Sequence, residues 1–372
     1  MEAKSLKTPD QYVSFFTKRE KNKLNVVDLF AGCGGLSLGF QRAGFNIVAG
    51  IDNDMISLET YKKNLNTKAL NLDLGNSNFI QSIKDNTENE IIDVLIGGPP
   101  CQGFSLTGTR ILNDSRNILF KAFFDFIDSF TPKIILLENV KGMKSLYNGK
   151  VLERILEEFN KRGYFTNYNV LNSSDFGVPQ NRERLFILAN NLGIDLKLPT
   201  AMISDENKIT CSDAISDLHN FDYDQGCEED IYKNKPLTYY QKLMRNETNK
   251  LFNHVGTKHK DFVIETIKLV PDGGNHKDLP PGVGTSRKFN EAWTRYSSNK
   301  PSKTIDTGHR NHFHYLFNRV PTVRENARLQ SFPDDFVFKG SKTQQNKQVG
   351  NAVPVFLSQS IAHKILSVLE NA

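Results

Sequence analysis

Asn25-Val26-Val27-Asp28-Leu29-Phe30-Ala31-Gly32-Cys33-Gly34-Gly35 is the stretch that decides the fold. Its first half is apolar and its second half is glycine-rich, and a helical pattern opens near Leu36. A strand that runs into a glycine turn and then a helix begins a βα unit. Glycines at such a turn let the backbone approach a ligand at the carboxyl end of the strand. Asp52 follows Gly32 by twenty residues, at the end of the next apolar run (46–51). A carboxylate there can accept hydrogen bonds from ribose hydroxyls. Asp73 is placed to close a third strand in the same way. The spacing is Gly-x-Gly-Gly rather than the dinucleotide pattern. By itself the segment fits an adenosine-containing cofactor or a tight structural turn.

Working outward, the alternation continues. Residues 56–65 read as a helix and 91–96 as a strand that ends in Gly97-Gly98-Pro99-Pro100. Residues 117–130 read as a helix with Phe120, Phe123, Phe124 and Ile127 on one face, followed by a strand at 133–137. A helix at 151–162 and a strand at 185–189 follow. This rhythm predicts an α/β fold, a doubly wound and mostly parallel sheet. Around Leu192 the rhythm stops. The expected organisation is an N-terminal arm or short helix (1–24), a catalytic and cofactor-binding domain (25–192 plus 344–372), and a smaller, irregular domain (193–343). The helix Val355–Leu369 is amphipathic and is expected to return to the first domain.

Composition excludes several classes. Hydrophobic residues make up 38% of the 372, with 26 Phe and 11 Tyr, enough for real cores. The longest aliphatic run is Ile134-Ile135-Leu136-Leu137, far short of the about 20 apolar residues of a bilayer span. Residues 1–25 carry no apolar leader. Cys33, Cys101, Cys211 and Cys227 form no CxxC pair, which argues against a disulfide scaffold or a cysteine zinc site and for a reduced, cytoplasmic setting. Net charge is 47 − 42 = +5. Residues 241–330 hold sixteen Lys/Arg against eight Asp/Glu and six of the eight histidines. A phosphate-backbone footprint and an ordinary solvated face both fit that excess. Residues 201–230 hold nine acids and one lysine, and the acidic segment 205–230 is expected on the side away from any nucleic acid.

Three further segments carry chemistry. In Gly97-Gly98-Pro99-Pro100-Cys101-Gln102-Gly103-Phe104-Ser105 a cysteine sits in a polar loop at the sheet's functional edge, which favours a nucleophile over a buried small hydrophobe. Glu138-Asn139-Val140 closes an apolar strand, so its carboxyl group is expected to be desolvated and raised in pKa, as a proton donor requires. The alternative is a carboxylate capping the next segment. Arg182 and Arg184 in Gln180-Asn181-Arg182-Glu183-Arg184 share a face at a strand entry and can clamp an anion or a base edge. The alternative is a surface ion pair with Glu183.

The order of these motifs resembles the cytosine-C5 DNA methyltransferases. Arg324-Glu325-Asn326-Ala327-Arg328-Leu329-Gln330-Ser331-Phe332-Pro333 and Gly350-Asn351-Ala352-Val353-Pro354 extend the likeness, which covers about 25–192 and 319–370. The resemblance implies S-adenosyl-L-methionine as cofactor, S-adenosyl-L-homocysteine as product, and no metal. It implies that Phe30 packs on the adenine and that Gly32, Gly34 and Gly35 make room for the methionine part. Asp52 would hold the ribose and Asp73 the adenine amine, with Asn351 and Ala352 completing the pocket. It implies Cys101 as nucleophile, with Glu138, Arg182 and Arg184 around the target cytosine. Asn53 stands where the family often has an aromatic residue. The partner implied is double-stranded DNA, bound by a prokaryotic monomer of a restriction–modification system. The segment 101–116, with Ser105, Arg110 and Arg116, is expected to cover the flipped base and meet phosphates. Thr304 matches a threonine that holds the flipped nucleotide's backbone. Arg287, Arg295 and Arg310 are candidate base readers, and Lys258, Lys260 and Lys277 candidate phosphate contacts.

Three other readings were weighed. The tRNA-methylating branch carries a Cys-Phe-Thr segment that is absent here. A non-catalytic homologue would lack the Pro-Cys or Glu-Asn-Val residues, and both are present. An amino-group methyltransferase would carry Asp/Asn-Pro-Pro-Tyr/Phe where this chain has Gly98-Pro99-Pro100-Cys101.

Overall fold

The structure is a computed structural model and describes residues 6–20, 22, 24–100, 118–221, 225–246, 248–283, 292–308 and 311–370. Its centre is a seven-stranded sheet of β1 (Asn25–Leu29), β2 (Asn46–Asp52), β3 (Lys68–Asn71), β4 (Val94–Gly97), β5 (Ile134–Val140), β6 (Phe165–Asn172) and β7 (Glu183–Asn190). The order is β3-β2-β1-β4-β5-β7-β6. The first five strands pair in parallel, and β7 runs antiparallel to both β5 and β6.

Strands buried on both faces read as continuous apolar runs, and alternate side chains divide between two cores. Ile134 and Leu136 of β5 join one core, while Ile135 and Leu137 join the other. Phe186 and Leu188 of β7 likewise oppose Leu185 and Ile187. One face is covered by α2 (Gly35–Arg42), α3 (Met55–Leu65) and α12 (Val355–Leu369). The other is covered by α4 (Phe79–Asn86), α5 (Ile118–Phe130) and α6 (Lys150–Lys161). Phe120, Phe123, Phe124 and Ile127 of α5 are all buried, as their helical spacing predicts.

Of the arm or short helix expected before residue 25, the helix is present. Helix α1 (Pro9–Phe16), capped by Thr8, buries Tyr12 and Phe16, and Phe16 stacks on Phe356 of α12 at 4.0 Å. The core continues past residue 192. Leu196, Ile209, Cys211, Leu218, Tyr240, Leu251 and Tyr296 belong to the same core as the sheet. Among the described residues a separate, small core holds Ile267, Val270, Phe313 and Val320 as its buried members. The stretch 193–343 therefore wraps the sheet domain before it leaves it.

The polar helix α11 (Lys342–Asn351) precedes α12 and buries Gln345, Asn346 and Gln348. Together α11 and α12, Lys342–Leu369, are long and apolar enough by composition to cross a bilayer, yet 72% of their most apolar window is buried inside the protein.

Candidate active site

A cavity of about 640 Å³ opens at the carboxyl ends of β1, β2, β4 and β5, where open α/β sheets bind ligands. Phe30 and Gly32 line it after β1, Asp52 to Asp54 after β2, Asp73 and Leu74 after β3, and Gly98 to Pro100 after β4. Glu138 to Val140 close β5 on it, and Arg182 and Arg184 reach it from β7. The loop 304–307 and the end of α11 with residues 350–353 complete the wall.

The glycine turn is built by two different means. Gly32 has φ +53° and nothing within 4 Å of where a Cβ would stand, so its open side faces the cavity. Gly34, at φ 95°, caps α2 in the left-handed region that L side chains rarely adopt. A Cβ on Gly34 would strike Leu65 and Tyr61, and one on Gly35 would strike the Val353 carbonyl. Gly34 and Gly35 thus make room for packing within the protein, and Gly35 also lines the cavity.

Asp52 accepts from the Gly32 amide at 2.8 Å and, with its other oxygen, from the Asp54 amide at 2.9 Å. Its carboxylate is thereby fixed in the cavity with lone pairs left over. Asp73 accepts from the Gly75 amide at 2.9 Å. Asp28 sits within β1. It lines the cavity, is 1% exposed, and accepts from the Ser37 hydroxyl at 2.6 Å. Burial raises its pKa to about 7. Its signal in the sequence was a charge in the middle of an apolar strand. Lys347, Gln348 and Asp306 also line the cavity and carried no such signal.

On the opposite wall Glu138 and Arg184 form an ion pair, Nε to Oε1, at 3.2 Å. Burial pushes the Glu138 carboxyl up from its ordinary value, and Arg184 and Arg182 pull against that shift. Gly98 leaves room for this carboxylate, since a Cβ there would stand 2.9 Å from Oε2. Arg182 is 2% exposed, and burial disfavours its charge. It donates weakly to the Ile305 and Asn351 carbonyls at 3.4 and 3.5 Å, and its Nε has no partner among the described residues. The anticipated pairing of these arginines with the Glu183 side chain does not form: that carboxylate binds Lys141 at 2.8 and 2.9 Å. Asn139 holds the Pro99 carbonyl at 2.7 Å, which ties the end of β5 to the proline segment.

Cys101 lies outside the described residues, as do Ser105, Arg110, Arg116, Arg287 and Arg310. Pro100, the residue before Cys101, lines the cavity. Of the other cysteines, Cys33 also lines it, but burial raises its thiol to about 12, so it keeps its proton. Cys211 is buried and Cys227 is exposed.

Thr304 lines the cavity and donates to the Asn181 carbonyl at 2.9 Å. Arg295 is corrected as a base reader. It is 5% exposed and donates to the Val270, Ile267 and His314 carbonyls and to Asn318. His312 and His314 are buried too, and burial lowers His314 to about 3. Among the described cations of 241–330, Arg295, Arg319, Arg324 and Arg328 are inside the protein. Asp217 of the acidic stretch is inside as well, bound by Arg328 and Arg245. Lys258, Lys260 and Lys277 are exposed.

A family model of C-5 cytosine-specific DNA methylases matches residues 24–367. The type II methyltransferase M1.HphI of Haemophilus parahaemolyticus is 37% identical over 359 residues, which cover 94% of this chain and 88% of that one. The type II methyltransferase M.DdeI of Desulfomicrobium norvegicum is 34% identical over 378 residues, covering 94% and 90%. Among solved structures, one described as a DNA modification methyltransferase encoded within an E. coli prophage matches with TM-score 0.75 at 27% identity, covering 94% of this chain and all of that one.

Proposed function

Because the chain belongs to the C-5 cytosine-specific DNA methylase family, we propose that the cavity holds S-adenosyl-L-methionine on its Asp52 side and a flipped cytosine on its Glu138 side. The activity is methyl transfer to carbon 5 of cytosine in DNA, in the manner of restriction–modification enzymes that protect DNA from a cognate endonuclease. The observation that carries the site assignment is the Glu138–Arg184 pair, facing the same cavity as Phe30, Gly32 and Asp52 and beside the residue that precedes Cys101.

The donor set fits the cofactor. Asp52 is fixed by two backbone amides and keeps acceptor capacity for ribose hydroxyls. Phe30 and Leu74 give apolar surface, and the open side of Gly32 admits close approach of a ligand. Asn53 lines the cavity where an aromatic ring would add a second stacking face. The cofactor, when bound, supplies a methyl group activated by a sulfonium.

The chain's residues do the rest. Carbon 5 of cytosine is too weak a nucleophile until a thiolate adds at carbon 6, and a soft nucleophile that can later leave is a cysteine. Cys101 takes that role. The charge that addition drives into the ring reaches N3, and Glu138, whose pKa burial raises, donates a proton there. Arg184 holds the Glu138 carboxyl in place and faces the base's carbonyl oxygen. Loss of the carbon 5 proton then expels Cys101. These atoms are out of reach in a stacked duplex, so the base is flipped at a cost of a few kcal/mol.

Within 193–343 the exposed lysines meet phosphates, while Arg287 and Arg310 remain the candidates for base reading. On this reading the protein acts on double-stranded DNA as a cytoplasmic monomer.

The test is Cys101→Ala, expected to abolish methylation while cofactor binding stays near normal. Duplex DNA with 5-fluorocytosine at the target is expected to trap a covalent adduct on Cys101, because fluorine cannot leave as a proton does. An adduct on Cys33, Cys211 or Cys227 overturns the assignment.

A further inference from the structure

We infer that Asp306 binds the α-ammonium group of the cofactor's methionine portion. This rests on the S-adenosylmethionine reading of the cavity and adds a residue that the sequence motifs did not supply.

Asp306 lines the cavity. Its Oδ2 accepts from the Asn311 side chain at 2.8 Å. Its Oδ1 is buried and has no hydrogen-bond partner among the described residues. A buried carboxylate oxygen without a donor is costly, so a site that keeps one is shaped for a donor that arrives with a ligand.

The surroundings say which donor. The loop that carries Asp306 is pinned on both sides. Ile305 donates its amide to Gln180 at 3.0 Å and accepts from Arg182, and Thr304 donates to the Asn181 carbonyl. The backbone of Asp306 lies against Gly350, where a Cβ would strike its carbonyl group. Asp306 therefore shares its part of the cavity wall with Gly350, Asn351 and Ala352. Asp52 takes the ribose and Asp73 the adenine amine, which leaves the amino-acid end of the cofactor for this wall. That end carries an ammonium group, a donor-only cation that satisfies a carboxylate in both charge and hydrogen bonding. A DNA phosphate is the one nearby group that Asp306 cannot serve, because like charges repel.

The experiment measures binding, with no turnover, by titration calorimetry. S-adenosylhomocysteine carries the ammonium, and methylthioadenosine shares its adenosine but lacks the amino-acid chain. Asp306→Asn keeps the shape and the Asn311 contact and removes the charge. It is expected to weaken S-adenosylhomocysteine by about tenfold or more, the scale of one charge-assisted hydrogen bond, and to leave methylthioadenosine unchanged. Equal loss for both ligands shows a merely structural role and overturns the inference. So does unchanged S-adenosylhomocysteine binding with weakened affinity for target duplex, which places Asp306 against the nucleotide. If the unaltered protein binds neither adenosine ligand, the cofactor reading itself falls and takes this inference with it.

Discussion

Two arginine pairs in this chain, Arg182 with Arg184 and Arg324 with Arg328, look alike in sequence and end in opposite states. Arg324 and Arg328 are completely buried and completely engaged. Arg324 donates to the Phe252, Pro333 and Phe336 carbonyls. Arg328 binds Asp334 at 2.6 Å and Asp217 at 2.5 Å. Arg182 is nearly as buried, yet among the described residues its side chain holds only long bonds to carbonyls and its Nε has no partner, and Arg184 shares its carboxylate partner with the cavity. Satisfied guanidinium groups hold a fold together, whereas a buried one with donors left over is ready for a ligand. Burial alone does not separate the two, and neither does position in a family motif.

The comparison breaks most clearly on the catalytic side. Glu138→Gln is expected to lower the single-turnover rate by about 10²–10⁴, the weight of general acid catalysis, with little change in DNA affinity or melting temperature. A variant that turns over at the parent rate removes Glu138 from the chemistry. On the structural side, Arg328→Ala leaves Asp217 and Asp334 without their shared partner in the interior. It is expected to cost about 3–5 kcal/mol in denaturant unfolding. A small loss there means the network is not what joins residues 211–217 to α10 (Val323–Leu329).

Acidity sharpens the contrast, because the two regions respond in opposite directions. Glu138 is raised, so it keeps its proton to a higher pH than an ordinary glutamate. The single-turnover rate is expected to fall as pH rises through that value, and Glu138→Gln is expected to flatten the limb. Asp334 and Glu325 are lowered: Arg328 is the main opponent of burial at Asp334, and Arg319 at Glu325. Their stabilisation is fully present above the ordinary carboxylate values and is lost only as pH falls through the depressed ones. Acid unfolding followed by circular dichroism is expected to begin late, and in Arg328→Ala to begin at higher pH.

The smallest effect separates surface cations from interior ones. Lys260→Ala is expected to weaken binding to all DNA alike and to reduce the salt slope by about 0.9, one phosphate contact. Arg295→Ala is expected to lower stability without altering which sequence is methylated. If restriction-protection assays show Arg295→Ala relaxing the target sequence, the interior reading of that arginine is wrong.

Much of this was legible in the chain. The apolar runs at β1, β4, β5 and β7 are continuous because those strands are buried on both faces, and that signal survives without any tertiary knowledge. Helix α11 was missed because its buried side chains are amides, so no apolar stripe marks it. Strand β6 was missed because it lies at the sheet edge with most of its side chains half-buried or exposed, and so has no clean alternation.

Sequence by itself determined the α/β rhythm and the order of the motifs, because each depends on local spacing along the chain. Tertiary structure alone decided which charges face outward. The basic surplus of 241–330 reads the same in composition whether an arginine meets solvent or a carbonyl. Only packing turned Arg295 and Arg328 inward and left one oxygen of Asp306 without a partner. Charge count is a sum over residues, but exposure belongs to the assembled fold, and it is exposure that decides whether a charge holds the protein or meets a ligand.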